Sequence, residues 1–260
     1  MNSATFVLST GRCGTQWLAE KLASAYGDLL TVTHEPLDND YRPRLMLGQK
    51  TPLRLDPDSR TTLLDHVERI ERGLETRPYL ECGHPCWGTL PYLMERLRGR
   101  LRVIHLVRDP LATARSWLAQ SAYVPPLLPH LSEKVLLSPF DEGVAFPGYR
   151  ERWAGLHPYE KSLYYWAEVN AFGLRLEEES EAPWRRVTFE ALFGGTGLAD
   201  LLTFLDLPAR PGVSDDRADV VDKYRFLPLM NVPALDLYAL HPEITSLAER
   251  LGYDVRARPG

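Results

Sequence analysis

A short glycine-containing loop near the start of the chain has the composition of an anion-binding turn. The segment STGRCGTQWL (9–18) follows an apolar run and precedes a stretch with helical spacing. Gly11 and Gly14 allow the backbone to turn tightly, so that successive N–H groups can point into one concavity. The positive end of the following helix favours an anion there, while Arg12 adds a permanent charge and Thr15 a hydroxyl. We therefore expect a phosphate ligand, the alternative being an ordinary turn between a strand and a helix.

The spacing of the two glycines argues against the nucleotide loop of a P-loop kinase. That loop has the pattern GxxxxGK[ST], in which a lysine directly follows the second glycine. Here Gly11 and Gly14 are closer together, and Thr15 stands where the lysine would be. A kinase or NTPase is still the second enzyme class to consider, because Asp109 follows an apolar strand and could imitate its metal-binding carboxylate.

A second cationic residue follows the most continuous apolar run, RVIHLV (102–107). Beyond Arg108, Asp109 and Pro110 have the residue types of a helix start, a side-chain acceptor at the N-cap and a proline in the first turn. Ser116 would lie two turns into that helix. An arginine at this position can bind a phosphate with two parallel hydrogen bonds, and a hydroxyl on the helix would complete the cage. The alternative is a structural ion pair and an ordinary surface serine.

The elements that must position these residues alternate between strands and helices. Apolar runs predict strands at 4–9, 29–33, 78–82, 102–107 and 185–189. Apolar residues at helical spacing predict helices at 15–26, 60–74, 90–97, 110–118, 159–178, 197–206 and 244–251. This alternation predicts a three-layer α/β fold, with a central parallel sheet flanked by helices and a P-loop-like nucleotide-binding core. Ligands of such sheets bind at the carboxyl ends of the strands, where the loop and Arg108 fall.

Residues 121–160 interrupt this alternation, because they contain six prolines interleaved with aromatic residues. A long irregular segment inside a compact domain is usually a binding loop or a lid. We expect residues 1–260 to form a single domain in which the segment at about 121–160 is a substrate lid or insertion.

The composition is that of an ordinary globular protein, with 44% hydrophobic and 25% charged residues. A net charge of −5 argues against a nucleic-acid partner, whose binding surface would be basic. The three cysteines do not form the framework of a disulfide-rich protein. We find neither a signal peptide nor an apolar stretch long enough to span a bilayer. We therefore expect a cytoplasmic protein without membrane insertion, while the sequence leaves its oligomeric state open.

Two segments resemble the sulfotransferases that use 3′-phosphoadenosine-5′-phosphosulfate (PAPS). Their 5′-phosphosulfate loop has the pattern [KR]-[SG]-G-[TS]-x-x-L, or K-S-G-T-T-W in the cytosolic branch, and RCGTQW (12–17) is similar except at Cys13. Their 3′-phosphate segment is a strand ending in Arg followed eight residues later by Ser on a helix, like Arg108 and Ser116. The resemblance covers the chain from residue 4 to about 205. The chain is more similar to the bacterial and Golgi carbohydrate-directed branch than to the cytosolic branch. It implies metal-independent, in-line transfer of a sulfuryl group from PAPS to a hydroxyl or amine of a carbohydrate or small-molecule acceptor, with adenosine 3′,5′-bisphosphate (PAP) as the product.

The resemblance also implies which residues bind the donor. Arg12 would neutralise the phosphosulfate, and Trp17 would stack on the adenine, although such a tryptophan is more often a core residue. Phe189 in VTFEALF would lie near the adenine, and Arg225 in DKYRF would add a phosphate contact. The complete implied set is Arg12, Cys13, Gly14, Thr15, Gln16, Trp17, Arg108, Ser116, Phe189 and Arg225.

Sulfuryl transfer needs a base for the acceptor proton and positive charge for the leaving phosphate oxygen. The resemblance offers two base candidates. Glu35 in THEPL matches the proposed base of the carbohydrate-directed branch, and His84 in ECGHPCWGTLP matches the catalytic histidine of the cytosolic branch. We favour Glu35, and His34 is an outside candidate. Arg12 and Lys50 in GQKTP are the candidates for charge at the bridging oxygen.

Cys82, His84 and Cys86 do not predict a metal site. Ligands at every second residue bind one tetrahedral ion poorly, and a fourth ligand is not evident. A third class of protein, a non-catalytic module that binds adenosine bisphosphate, would keep the donor-binding residues and lack a base. The presence of Glu35 together with His84 counts against that alternative.

Overall fold

The computed structural model describes residues 1–128, 130–210, 213 and 236–255. The described chain divides into two compact units, which are taken one at a time. The first unit holds residues 1–107 and the described residues from 173 to 213, and the second holds 108–172 and 236–255. A single domain with a lid at 121–160 stays a prediction.

A five-stranded sheet forms the centre of the first unit. Its strands are β1 (Ala4–Leu8), β2 (Thr31–His34), β3 (Tyr79–Cys82), β4 (Leu101–Val107) and β5 (Trp184–Thr188). Their order across the sheet is β2-β3-β1-β4-β5, and every neighbouring pair is parallel. All five residues of β1 are buried, as expected for a central strand covered on both faces. The predicted α/β fold with a parallel central sheet is confirmed.

Helices connect these strands and continue into the second unit. They are α1 (Thr15–Tyr26), α2 (Pro43–Met46), α3 (Pro57–Gly73), α4 (Leu90–Arg96), α5 (Pro110–Ala119), α6 (Pro158–Glu179), α7 (Phe189–Leu192), α8 (Gly197–Phe204), α9 (Leu237–Leu240) and α10 (Pro242–Arg250). Single 3₁₀ turns lie at Asp38–Tyr41, Pro52–Arg54, Trp87–Thr89, Pro147–Glu151 and Trp153–Gly155. Each helix expected from the apolar spacing is present close to its predicted bounds.

The starts of two helices follow from their capping residues. Asp109 caps α5, because its Oδ1 accepts a hydrogen bond from the backbone N–H of Ala112 at 2.8 Å, and this confirms the predicted helix start. In the same way Asp56 caps α3 through the N–H of Ser59 at 3.0 Å. This cap, with a proline in the first turn, begins α3 a few residues before its predicted apolar face.

The strand order identifies the crevice at which a ligand would bind. The connection that leaves β1 leads to β2 on one side of the sheet, whereas the connection that leaves β3 leads to β4 on the other side. Because β1 and β3 are neighbours, the direction of winding changes between them. Ligands of open parallel sheets bind outside the carboxyl ends of the strands at such a switch point. The loop after β1 and the loop after β3 therefore border the expected site.

The second unit contains most of the irregular segment, which is anchored by side-chain hydrogen bonds. The Tyr123 hydroxyl donates to the carbonyl of Leu137 at 2.6 Å and accepts from its N–H at 2.9 Å. The buried carboxylate of Glu168 on α6 accepts from the N–H groups of Ala145 and Phe146, each at 2.7 Å. These bonds satisfy backbone groups that have no helix or strand partner, so a segment without regular structure is held to α6.

Candidate active site

The loop after β1 is folded by three residues in the left-handed region of backbone space. Gly11 (φ 70°), Arg12 (φ 60°) and Gly14 (φ 81°) all have positive φ. A Cβ at Gly14 would also lie only 3.0 Å from the ring of Phe193, so this position needs a glycine for two reasons. The buried Ser9 hydroxyl accepts from the N–H of Gly11 at 3.1 Å. Arg12 adopts a conformation that costs free energy in a residue with a side chain, and such strain is typical of binding loops.

Cys13, at the position where the sequence departs from the sulfotransferase pattern, supports the loop from inside. Its buried thiol donates to the carbonyl of Gly11 at 3.1 Å and lies 3.3 Å from the hydroxyl of Thr10. The side chain thus holds the turn together from the protein side, and any contact with an anion would come from its backbone. The cysteine is therefore compatible with an anion-binding loop.

Helix α1 begins directly after this loop without a capping side chain. Within the described chain, no side-chain oxygen accepts from its first N–H groups, and its first turn holds no acidic residue. Its first backbone hydrogen bond joins the N–H of Leu18 to the carbonyl of Gly14 at 3.0 Å. The N–H groups of Thr15, Gln16 and Trp17 come before that bond and form the positive end of the helix, which favours an anion.

Three aromatic rings lie behind the start of α1. Trp17 is tilted against Phe193 with 4.6 Å between the ring centroids, and Phe193 is 4.5 Å from Phe189. Trp17 is only 8% exposed, and its buried Nε1–H has no acceptor among the described residues. A buried donor without a partner costs about 1–3 kcal/mol. The sequence analysis missed Phe193, although its i, i+4 spacing from Phe189 was visible.

The two base candidates are hydrogen-bonded to each other. The Nδ1 of His84 lies 2.9 Å from Glu35 Oε1, and the backbone N–H of His84 donates to the same oxygen at 3.3 Å. Glu35 follows β2 with a left-handed backbone (φ 46°), and His84 lies just beyond β3. A Cβ on Gly83 would lie 2.5 Å from Glu35 Cγ, so the absence of a side chain there is what lets the two strand ends approach.

The charged form of Glu35 is stabilised by its neighbours. Burial raises the pKa of the carboxyl, but the hydrogen bond and the charge of His84, together with the charge of His34, outweigh burial and leave the pKa below its ordinary value. The Nε2 of His34 lies 3.9 Å from Glu35 Oε1 and 3.4 Å from the Thr15 hydroxyl. The structure therefore brings the phosphate loop, both base candidates and His34 to one edge of the sheet.

A buried polar network holds β2 and β3 behind this edge. The fully buried Glu81 accepts from the hydroxyls of Tyr41 and Tyr79, at 2.5 and 2.7 Å, and contacts His66 Nε2 at 3.1 Å. The Tyr79 hydroxyl is also 2.7 Å from Thr33 Oγ1 on β2. Burial and the charge of Glu81 raise the pKa of both tyrosines. The sequence analysis missed this network, although a lone glutamate inside an apolar strand was a visible signal.

Lys50 is exposed in a bend after α2. The pKa of Glu95 is lowered mainly by its hydrogen bond with Arg98 and further by the charge of Lys50. Lys50 is therefore within electrostatic range of Glu95, and its role at the bridging oxygen stays a prediction.

Arg108 and Ser116 belong to the second unit. Arg108 directly follows β4 and is partly buried, and its carbonyl accepts from Trp166 Nε1 at 2.8 Å. Ser116 is a partly buried residue of α5. Asp109 uses Oδ1 to cap α5, which gives this carboxylate a structural role and weakens the kinase alternative. Arg225 lies outside the described residues.

Two further findings concern membranes and metals. In the part of the chain that the structure describes, no helix combines the length and apolar character that crossing a bilayer requires. Across the same residues, no group of three or more histidine, cysteine or acidic side chains is arranged to hold a metal ion.

Comparison with known proteins relates this fold to sulfotransferases. No protein-family model and no curated protein sequence matches the chain significantly. Among solved structures, the sulfotransferase domain of the Synechococcus PCC 7002 olefin synthase is similar over 98% of this chain and 96% of its own, with 18% identity and a TM-score of 0.54. The sulfotransferase domain from the curacin biosynthetic pathway is similar over 98% and 99%, with 17% identity and a TM-score of 0.51. A sulfotransferase from Alicyclobacillus acidocaldarius is similar over 98% of both chains, with 17% identity and a TM-score of 0.50. The chain therefore has the sulfotransferase fold.

Proposed function

We propose that this protein is a PAPS-dependent sulfotransferase that transfers a sulfuryl group to a hydroxyl or amine of a carbohydrate or small-molecule acceptor. One observation carries the proposal. At the switch point of a sulfotransferase-type sheet, a left-handed loop that enters an uncapped helix lies on the same edge as a Glu35–His84 pair. An anion-binding loop and a base are the two parts that sulfuryl transfer requires.

The donor would be held mainly by the loop and the start of α1. The N–H groups of Thr15, Gln16 and Trp17 and the charge of Arg12 are suited to the 5′-phosphosulfate. Following the sequence resemblance, Arg108 would bind the 3′-phosphate through its guanidinium, together with Ser116.

The transfer itself is an in-line displacement at sulfur. The acceptor oxygen or nitrogen forms a bond to sulfur while the bond between sulfur and the bridging oxygen of the donor breaks. The electron pair of the broken bond stays on that oxygen, which leaves as the 5′-phosphate of PAP. The acceptor proton passes to the base. Arg12, the positive end of α1 and Lys50 would stabilise the leaving oxygen, so the proposed step requires no metal.

The hydrogen bonds around Glu35 favour it as the base. Among the described residues, His84 Nδ1 and the His84 N–H both contact Oε1 of Glu35, and the nearest approach of His34 is to the same atom. Oε2 is therefore the oxygen left to accept a proton. His84 would then be a positioning residue that holds Glu35 through Nδ1 and the backbone N–H. A histidine paired with a carboxylate through Nδ1 can also take a proton at Nε2. The reverse assignment, with His84 as the base, is the alternative that mutagenesis must separate.

A cytoplasmic location is part of the proposal. The three cysteines are all buried and form no disulfide, which agrees with a reducing compartment.

Turnover of sulfur-labelled PAPS by the purified protein tests the proposal. Extracts of the native host, separated into fractions, serve as the source of acceptors, and parallel reactions are run with EDTA and with added Mg²⁺. We expect labelled product and stoichiometric PAP. Transfer that stops on chelation and returns with Mg²⁺, or phosphoryl transfer from MgATP, would instead support the kinase alternative. Tight binding of PAP without turnover of any fraction would favour the non-catalytic module.

A further inference from the structure

His34, the last residue of β2, lies between the phosphate loop and the carboxylate that we propose as the base. Its Nε2 is 3.4 Å from the Thr15 hydroxyl and 3.9 Å from Glu35 Oε1. The side chain is 31% exposed, so the ring reaches solvent at the carboxyl edge of the sheet. Within the described chain, the Thr15 hydroxyl has no other hydrogen-bond partner. His34 is thus placed to control which way this hydroxyl points.

The direction of the hydrogen bond decides whether Thr15 can bind an anion. A threonine hydroxyl has one hydrogen to donate and two lone pairs. If Nε2 of His34 lacks a proton, Thr15 donates to it and presents only lone pairs to the loop. If Nε2 carries a proton, His34 donates to the Thr15 oxygen, and the hydroxyl hydrogen is left for a ligand. An anion accepts hydrogen bonds, so only the second arrangement favours it.

We propose that His34 is a positioning residue that donates from Nε2 to Thr15 and thereby turns the Thr15 hydroxyl toward the sulfuryl donor. This inference rests on the proposed function, because it takes the loop to be an anion site. The 2.9 Å contact of Glu35 with His84 is much shorter than its 3.9 Å contact with His34. His34 therefore has its hydrogen bond with Thr15, and it acts on Glu35 only through its charge at longer range.

The proton position on His34 can be measured without any donor. Long-range ¹⁵N–¹H spectra of the wild-type protein, with His34 assigned by comparison with His34→Gln, report which ring nitrogen carries the proton. We expect the Nε2–H form, or the doubly protonated form, in the ligand-free protein or on addition of inorganic pyrophosphate. A ring protonated only on Nδ1 under both conditions would overturn the inference.

A double-mutant cycle tests the coupling to Thr15. Dissociation constants for PAP and for inorganic pyrophosphate are measured by calorimetry for the wild type, His34→Leu, Thr15→Val and the double variant. We expect each single change to raise the dissociation constants of both ligands by roughly 3- to 10-fold, the usual effect of one lost hydrogen bond. The double variant should be no weaker than Thr15→Val alone, because both changes remove the same contact. His34→Gln, which keeps an N–H donor near the position of Nε2, should recover most of the affinity.

The kinetic parameters separate this role from a general effect on folding. His34→Leu should raise the KM for PAPS more than it lowers kcat, and His34→Gln should reverse most of that rise. Additive effects in the cycle, or unchanged affinity in His34→Leu, would overturn the inference. If pyrophosphate shows the coupling and PAP does not bind, the proposed donor is wrong while the role of His34 stands. If the wild type binds neither ligand, the loop is not an anion site and both proposals fall.

Discussion

At the scale of single residues, the site depends on a carboxylate that is kept charged although it is partly buried. Burial alone would raise the pKa of Glu35, but the two hydrogen bonds from His84 to Oε1, together with the charges of His84 and His34, leave the pKa below its ordinary value. A lower pKa makes a weaker base, but it ensures that the group is ionised at neutral pH. The same bonds fix the orientation of the carboxylate, and under the proposed function Oε2 would accept the proton of the acceptor.

Replacement of Glu35 by glutamine tests the assignment of the base. Glu35→Gln keeps the size and polarity of the side chain and removes its ability to take a proton. We expect kcat to fall by a factor on the order of 10²–10⁴ while the affinity for PAP changes little. His84→Asn should lower kcat less, since it disturbs only the position of Glu35. Steady-state kinetics with labelled PAPS give the kcat of both variants. The assignment is wrong if His84→Asn abolishes turnover while Glu35→Gln keeps most of it.

The pH dependence of activity gives an independent test of the same assignment. A base works only when deprotonated, so activity falls as the pH drops through its pKa. Because the pKa of Glu35 is lowered from 4.5, the acid limb of kcat/KM should lie below that value and be absent between about pH 5 and pH 7. Initial rates measured across this pH range, in buffers of constant ionic strength, locate the acid limb of kcat/KM. A limb near pH 6.5, about where an ordinary imidazole titrates, would contradict a carboxylate base.

At the scale of elements, the ends of β2 and β3 are brought close enough for one hydrogen-bonded pair to bridge them. The buried Glu81 network ties both strands together from behind, and Gly83 removes the side chain that would otherwise separate them. The base candidates thus lie within two residues of the ends of strands that a buried polar network ties together. Placement of this kind is more accurate than placement on a free loop.

Gly83→Ala should disturb the pair without altering either base candidate. The added methyl would meet Glu35 Cγ at 2.5 Å, so Glu35 must move. We expect a loss of about 1–3 kcal/mol in the free energy of unfolding and a fall in kcat of up to about 10²-fold, measured by urea denaturation and by turnover. Gly73→Ala is the matched control, because nothing lies within 4 Å of its added methyl. Equal behaviour of the two variants would show that the close approach at Gly83 has no functional role.

Arg108→Ala tests the second anion-binding element. Loss of a charged hydrogen bond to the 3′-phosphate should weaken the binding of PAP by more than about 1.5 kcal/mol. Its dissociation constant should therefore rise by more than about tenfold. Adenosine 5′-phosphate, which lacks the 3′-phosphate, should bind wild type and variant nearly equally. Calorimetry measures both ligands, and Arg98→Ala, which removes an exposed arginine paired with Glu95, controls for the change in net charge. A variant that binds PAP like the wild type would remove Arg108 from the donor site.

At the scale of the whole molecule, the proposed donor site would be a local anion site in an acidic protein. The net charge is −5, yet the proposed donor carries several negative charges. The positive end of α1, the loop N–H groups and a few arginines act at short range, where the overall charge matters little because salt screens distant charges.

Thermal stability should distinguish the proposed donor from the ligand of a kinase. A ligand that binds only the folded protein at about a hundred times its dissociation constant adds about 2.7 kcal/mol to the free energy of unfolding. We expect PAP to raise the Tm even when EDTA is present. We expect MgATP to leave the Tm nearly unchanged. Differential scanning fluorimetry measures both shifts. A larger shift with MgATP than with PAP would count against the sulfotransferase proposal.

The sequence by itself determined the order of the elements, the parallel sheet and the position of the glycine-containing turn after β1. These depend on local information, since apolar spacing defines strands and helices, and the glycines of 9–18 define the turn. The same local signals identified Glu35 and His84 as separate candidates on different loops.

Only the tertiary structure decided that Glu35 and His84 form one pair, that Gly83 makes this possible, and that His34 reaches Thr15. The Glu35–His84 contact joins the ends of two neighbouring strands, and the His34–Thr15 contact joins the end of β2 to the start of α1. Such contacts depend on sheet order and register, because those fix which strand ends are neighbours. Apolar periodicity does not encode strand order, so the sequence could supply the chemical groups but not their contacts.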